Sequence, residues 1–179
     1  MTITTRLLLA ICIPIAACRE RASPRATQDA AAVPTHAEHT DTAPPLSAAR
    51  ARVNGIGVDQ TSPQVRTILG APDSVPAPLR YKGPGDSMTT WFYPTTKIYF
   101  VGDRVRGVVC RGQPCQTPDG ISSGDSLSKV QRVYGPTFAL APPGTGHHKL
   151  IYPTAEGGNC SMEFDFDLGV ITKISLGCD

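Results

Sequence analysis

Short strings in this chain recur at a nearly fixed interval, and that interval limits the fold more than any other feature. Asn54, Gly55 and Ile56 return as Asp119, Gly120 and Ile121, and Val65, Ile68 and Gly70 return as Val130, Val133 and Gly135, all 65 residues later. Phe100, Val105 and Val108 return 66 residues later as Phe166, Ile171 and Ile174. An interval kept over both halves marks a duplicated supersecondary unit. The reading divides the chain into a leader (1–17), a tether (18–50), a first repeat (51–116) and a second repeat (117–179).

Each unit opens with a short helix. Ser62 is a suitable N-cap, Pro63 sits where a missing N–H costs nothing, Val65, Ile68 and Leu69 share a face, and Gly70 stops the helix. The second helix runs from a cap at Asp125 or Ser126 through Leu127, Val130, Val133 and Tyr134 to Gly135. Two turns of helix are not stable alone. They need a sheet to lie on, and β-rich runs follow: Thr89 to Tyr93, Lys97 to Val101 and Arg104 to Cys110 in the first unit, His148 to Tyr152 in the second. Gly102 and Asp103 suit a two-residue type II′ turn. With 17 Gly and 17 Pro in 179 residues, a helical bundle is excluded. The expected fold class is α+β: two tandem repeats, each a short helix or helix pair packed on an antiparallel β-sheet.

The last two strands predict their own register. Cys160, Met162, Phe164 and Phe166 alternate with polar residues, as do Thr172, Ile174, Leu176 and Cys178. Antiparallel partners keep a constant index sum, and a sum of 338 puts Phe164 opposite Ile174, Met162 opposite Leu176 and Cys160 opposite Cys178. That makes a Cys160–Cys178 disulfide geometrically reasonable. Four cysteines beyond the tether permit three pairings, and Cys110–Cys115 with Cys160–Cys178 keeps each bridge inside its unit. Zinc is the other use of four cysteines, and neither the C-x4-C nor the x17 spacing is finger-like.

The N-terminus reads as an export signal. Arg6 precedes an apolar run from Leu7 to Ala17 that is too short to span a bilayer. Ile15, Ala16, Ala17 and Cys18 resemble the lipobox of bacterial lipoproteins. The resemblance implies cleavage before Cys18, fatty acylation of its thiol, and a tethered mature protein. Arg19, and not Asp, at the next position favours the outer membrane by resemblance to Gram-negative sorting. From Arg19 to Arg50 the chain is rich in Ala, Pro and Thr, with Val33 and Leu46 as its only larger aliphatics, which predicts a disordered linker. His36 and His39 lie in that linker and read as solvated residues, not metal ligands.

Beyond the tether, the run from Gly57 through Pro63, Val65, Leu69 and Gly70 to Pro72, followed by Trp91, Phe92 and Tyr93 and then by Phe100 to Val105, resembles the SmpA/OmlA (BamE-like) family of outer-membrane lipoproteins. The tandem arrangement is similar to that of β-lactamase inhibitory protein. Both resemblances imply one or two helices per unit against an antiparallel sheet of three or four strands.

The residues themselves offer little chemistry. Formal net charge is +2, with no basic stripe for a phosphate backbone, so nucleic acid is excluded as a partner. Gly120-Ile121-Ser122-Ser123-Gly124 matches a nucleophile elbow but follows a turn instead of a strand. Ser126 to Lys129 matches S-x-x-K without the rest of that machinery. His147 and His148 with Asp165 or Asp167 form the one imaginable acid/base or metal set, and alternation places both carboxylates on the solvent side of a strand. Lys82 to Ser87 is glycine-rich but lacks the helix of a phosphate loop. No catalytic residue, metal or cofactor is expected. Trp91, Phe92, Tyr93, Tyr99 and Tyr152 carry the binding expectation, with Trp91, Tyr93, Phe92 and Tyr152 the candidate anchors. The expected function is a periplasm-facing lipoprotein that binds another envelope or periplasmic protein, as an assembly factor or an inhibitor. An envelope hydrolase and a small-ligand or lipid carrier are the alternatives.

Overall fold

A computed structural model of the chain describes residues 43–80, 87–140, 146–155 and 159–178, with the side chains of 138–140 left aside. The leader, Cys18, His36, His39 and most of the 82–87 tract lie outside them. In chain order the elements are α1 (Ser62–Leu69), β1 (Leu79–Arg80), β2 (Ser87–Phe92), β3 (Thr96–Val101), β4 (Arg104–Arg111), α2 (Leu127–Tyr134), β5 (Phe138–Leu140), β6 (His147–Pro153), β7 (Cys160–Asp167) and β8 (Val170–Cys178).

All the strands belong to one antiparallel sheet, ordered β1-β2-β3-β4-β8-β7-β6-β5. This corrects the expected fold class. The protein is not two repeats of helix on sheet but a single sheet-dominated body carrying two short helices. The reason is edge satisfaction: left apart, β4 and β8 would each expose unpaired N–H and C=O groups. They pair instead, from Gly107↔Gly177 to Arg111↔Lys173.

The β7–β8 register follows the constant sum from Cys160↔Cys178 to Asp165↔Lys173 and then shifts at Phe166↔Ile171. A matching irregularity between Tyr99 and Phe100 sits in the β3–β4 pair. Inward residues of the middle strands, including Ile98, Phe100, Val105, Val108, Met162, Phe164 and Ile174, are almost wholly buried. Burying a side chain of that size contributes about 1.5–3 kcal/mol, which is why alternation in these strands is so regular.

The helices sit on that buried face. Thr61, one residue earlier than expected, caps α1, and its N–H donates to Gln64 Oε1 at 2.8 Å. Ser126 caps α2, accepting from the Lys129 N–H at 3.3 Å. Val65, Val130 and Tyr134 are buried, whereas Ile68, expected on the packed face, is 45% exposed.

The expected tether also ends sooner than the sequence suggested. Ala43 donates to the Pro136 carbonyl at 3.0 Å, Leu46 to Pro153 at 2.8 Å, and Leu46 is 1% exposed. Residues 43–50 therefore belong to the folded unit. One Leu among polar neighbours carries too little pattern to announce this.

Among the described residues there are two disulfides. Cys110–Cys115 ties the end of β4 to the loop after it, with 5.8 Å between Cα atoms, and Cys160–Cys178 crosses between β7 and β8 with 4.0 Å.

Candidate functional site

Because both helices and the N-terminal arm lie on one face, the pleat leaves the other face of the sheet open. Three rows of outward side chains cross it. One row joins Tyr99, Gly107, Gly177 and Ser161; the next joins Lys97, Val109, Ser175 and Glu163; the third joins Arg111, Lys173, Asp165 and Lys149. Most of these residues are neither buried nor fully exposed.

The first row is a trough. Gly107 and Gly177 face each other across β4 and β8 and put no side chain between the strands. A hollow of about 310 Å³ lies over them. Its β2–β4 side is formed by Met88, Tyr99, Val101 and Val109 with Arg106 at its edge, and its β7–β8 side offers Ser161, Ser175 and Glu163. A methyl placed on Gly107 would stand 3.4 Å from the Leu176 carbonyl and 3.5 Å from the Tyr99 ring. Tyr99 therefore leans on Gly107 as an aromatic ring does on a cross-strand glycine.

The β6–β8 part of the face is ionic. Lys149 Nζ lies 2.8 Å from Glu163 Oε2 and 3.7 Å from Asp165 Oδ1, and Lys173 also bonds Asp165. The Glu163 hydrogen bond, aided by the neighbouring carboxylate charges, raises the Lys149 pKa against the opposing effect of burial. His147 Nδ1 is 3.5 Å from Asp167 Oδ1. On the other half, Lys97 Nζ stands 5.2 Å over the Phe92 ring, and Arg104 donates to the Asp59 carbonyl at 2.9 Å.

The candidate anchors separate by face. Trp91 is 7% exposed, packs on Phe100 at 4.7 Å and is covered by the Arg66 guanidinium at 4.8 Å. Tyr152 is fully buried; its hydroxyl donates to the Gly135 carbonyl at 2.9 Å, and burial pushes its pKa up to about 12. Trp91 and Tyr152 are core residues, and as partner anchors they are corrected: the pleat turns both toward the helices. Tyr93 is half-buried and donates to the Gly70 carbonyl at 3.2 Å, with its pKa raised chiefly by burial. Phe92 faces outward in register with Lys97, and so does Tyr99.

The weak catalytic motifs meet structural explanations. Lys129 Nζ engages Asp125 at 2.7 Å and the Gly120 carbonyl at 3.2 Å, while its N–H bonds the Ser126 cap. The Ser122 N–H donates to Asp125 Oδ2 at 2.7 Å within a turn. In the strand register His147 is opposite Asp167 and His148 opposite Phe166, yet both histidines line one hollow of about 490 Å³ at this end of the sheet, together with Arg111, Lys149, Asp165 and Asp167. Among the described residues no group of three or more His, Cys, Asp or Glu is placed to hold a metal ion.

Sequence reasoning missed Gly107, Gly177 and Arg111 as a surface. Outward parity in β4 and β8 was readable, but the β4–β8 pairing that joins the two lines of residues was not.

No family model and no curated protein sequence matches the chain. Among solved structures it is similar to an extracellular protein containing a SCP domain from Bacillus anthracis str. Ames. That match is 9% identical and covers 68% of this chain and 44% of that one, with a TM-score of 0.45. It is also similar to a DUF4309 family protein (YjgB) from Bacillus subtilis subsp. subtilis str. 168, 14% identical over 67% of this chain and 79% of that one, with a TM-score of 0.39. This chain thus spans less than half the length of the SCP-domain protein. Neither likeness bears on activity or partner.

Proposed function

We propose that this protein is an exported, lipid-anchored binding module of the bacterial envelope. It is attached to the outer membrane through Cys18, faces the periplasm, and recognises another envelope or periplasmic protein without catalysing a reaction. The observation that carries the reading is the open sheet face: outward Tyr99, Met88, Val101 and Val109 form an apolar ledge beside a glycine trough, where a sheet face that meets only water carries polar side chains. Two disulfides support export, since such bridges persist in oxidising compartments. The Ile15 to Cys18 lipobox supports the anchor, because several acyl chains hold a protein on a membrane where one is marginal.

Two measurements test this. Fatty-acid labelling should mark the parent and not Cys18→Ala; equal labelling removes the anchor. A photo-crosslinker at Tyr99 should give a discrete protein adduct in intact envelopes, and one at Arg132 on helix α2 should not. Adducts at neither position, or equally at both, overturn the open face as the binding surface.

A further inference from the structure

The hollow beside the two histidines carries charge that the fold does not use. In the outward row that borders it, Arg111, Lys173, Asp165 and Lys149 follow one another across β4, β8, β7 and β6. Three cations share that row with one carboxylate, and Arg111 stands directly opposite Lys173. Like charges at cross-strand partners destabilise a sheet. Lys173 is relieved by its bond to Asp165, and Lys149 by Glu163 at 2.8 Å and Asp165 at 3.7 Å. Arg111 is not: among the described residues its guanidinium has neither an ion pair nor a hydrogen bond.

His148 is a second polar group of this kind. It is half-buried and lines the same hollow, yet its imidazole has no partner among the described residues. A polar ring drawn partly out of water loses solvation that a partner would return. The two carboxylates of the lining are already matched, Asp165 by the lysines and Asp167 by His147 Nδ1 at 3.5 Å. The uncompensated charge facing the hollow is therefore positive, and Arg111 carries it.

Size and lining narrow the occupant. A volume of about 490 Å³ is far more than a bare oxyanion fills and lies in the range of small-ligand sites. The lining reaches from β4 to β6, three strand spacings or about 14 Å, which suits an elongated ligand. Along it stand donors (Arg111, Lys149), acceptors (Asp165, Asp167) and groups able to do either, the Thr172 hydroxyl and the His148 imidazole. Hydroxyl groups, which both donate and accept, match such a wall; a basic body would meet Arg111.

We propose that this hollow binds a short anionic glycan. Its carboxylate or phosphate lies on the Arg111 fork, whose geometry suits either oxyanion, and its hydroxyls meet His148, Thr172 and the Asp carboxylates. The site shares no residue with the hollow over Gly107 and Gly177, and it does not depend on the protein-binding reading.

The test presents the full chain to an array of oligouronates, sugar phosphates and neutral glucose oligomers of matched length. The strongest binder is then titrated in solution against the parent, Arg111→Gln, His148→Phe and Arg104→Gln, with sulfate and phosphatidylglycerol vesicles as separate arms. Acidic glycans alone should bind, and affinity should fall about tenfold or more in Arg111→Gln, as for a lost charge-assisted hydrogen bond. His148→Phe should lose severalfold. Arg104→Gln removes an exposed cation at the far end of β4 and should match the parent. Arg111 is itself exposed, so its variant should melt no lower than the parent. Neutral glycans bound as well as acidic ones overturn the proposal, as do equal losses in Arg111→Gln and Arg104→Gln, the mark of net charge alone. Sulfate bound as tightly as the best glycan reduces the hollow to an ion site and overturns it too. Vesicle binding without glycan binding overturns it in favour of a membrane surface, and an array with no bound glycan overturns it outright. None of these results touches the Tyr99 adduct, so the protein-binding reading stands or falls separately.

Discussion

The two halves of the sheet agree on the side that faces the helices and differ on the side that faces out. Inward, β3 and β4 supply Ile98, Phe100, Val105 and Val108, and β7 and β8 supply Met162, Phe164, Ile174 and Leu176, all at most 2% exposed. Outward, the first half presents Met88, Tyr99, Val101 and Val109, while the second presents Lys149, Glu163, Asp165 and Lys173. Packing dictates the inner face and would be satisfied by either outer face. The difference outside is therefore where the molecule is specialised, with the glycine pair on the line between the two surfaces.

The sharpest way to break this comparison is to empty the core on each side in turn. Phe100→Ala and Phe164→Ala should each cost about 3–5 kcal/mol in urea unfolding, the range for a large buried aromatic. Similar costs support equal packing of the halves. A cost below about 1 kcal/mol at either position shows that its half yields around the cavity, and the equivalence fails.

The disulfides come next. By loop entropy the Cys160–Cys178 bridge, with a sequence separation of 18, contributes about 3 kcal/mol, and Cys110–Cys115, with a separation of 5, about 2 kcal/mol. Paired serine replacements measured by thermal unfolding should keep that order. The reverse order would show that Cys110–Cys115 acts through the loop it holds, where Asn54 also bonds the Pro114 carbonyl at 3.0 Å and the Gln116 N–H at 2.9 Å.

A third difference appears only at alkaline pH. Tyr152, in the second half, has its pKa raised by burial to about 12 from the ordinary 10. Folding favours the neutral phenol, so this contribution is whole below pH 10 and is lost as pH rises from 10 through 12. The parent should lose about 1–2 kcal/mol more than Tyr152→Phe between pH 9 and 12. Parallel stability curves would mean that Tyr134 and its neighbours dominate the alkaline response.

Local pattern carried much of this fold. The alternation of Cys160 to Phe166 against Thr172 to Cys178 identified a hairpin and its register, and Gly102 with Asp103 identified a two-residue turn, which the Val101↔Arg104 pair closes with Gly102 at φ 60°. What failed was non-local. Alternation states that Trp91 and Tyr93 share a face and not which face the helices cover, so on pattern alone Trp91 and Tyr152 stand among the candidate anchors. The β4–β8 pairing depends on two strand edges about 65 residues apart, and no turn chemistry between them announces it.

The smallest predicted effect concerns the two hairpin tips. The first turns through Gly102 and Asp103, with Asp103 accepting from the Ser62 hydroxyl. The second turns through Leu168 and Gly169, and Leu168 holds φ 49° at 86% exposure. A leucine in the left-handed region costs about 1–2 kcal/mol relative to right-handed backbone, and glycine almost nothing. Leu168 thus carries strain without burial to offset it, where the first tip avoids both. Leu168→Asn, a residue that tolerates this conformation, should stabilise the protein by about 0.5–1 kcal/mol, and Gly102→Leu should destabilise it by about 1 kcal/mol, since open space surrounds Gly102 and only the backbone objects. Urea midpoints that move in opposite directions confirm that the tips are the same turn built with different residues. A loss of stability in Leu168→Asn would instead show that the leucine packs on the segment it meets at Gly146, where its N–H already donates to the Gly146 carbonyl at 3.3 Å.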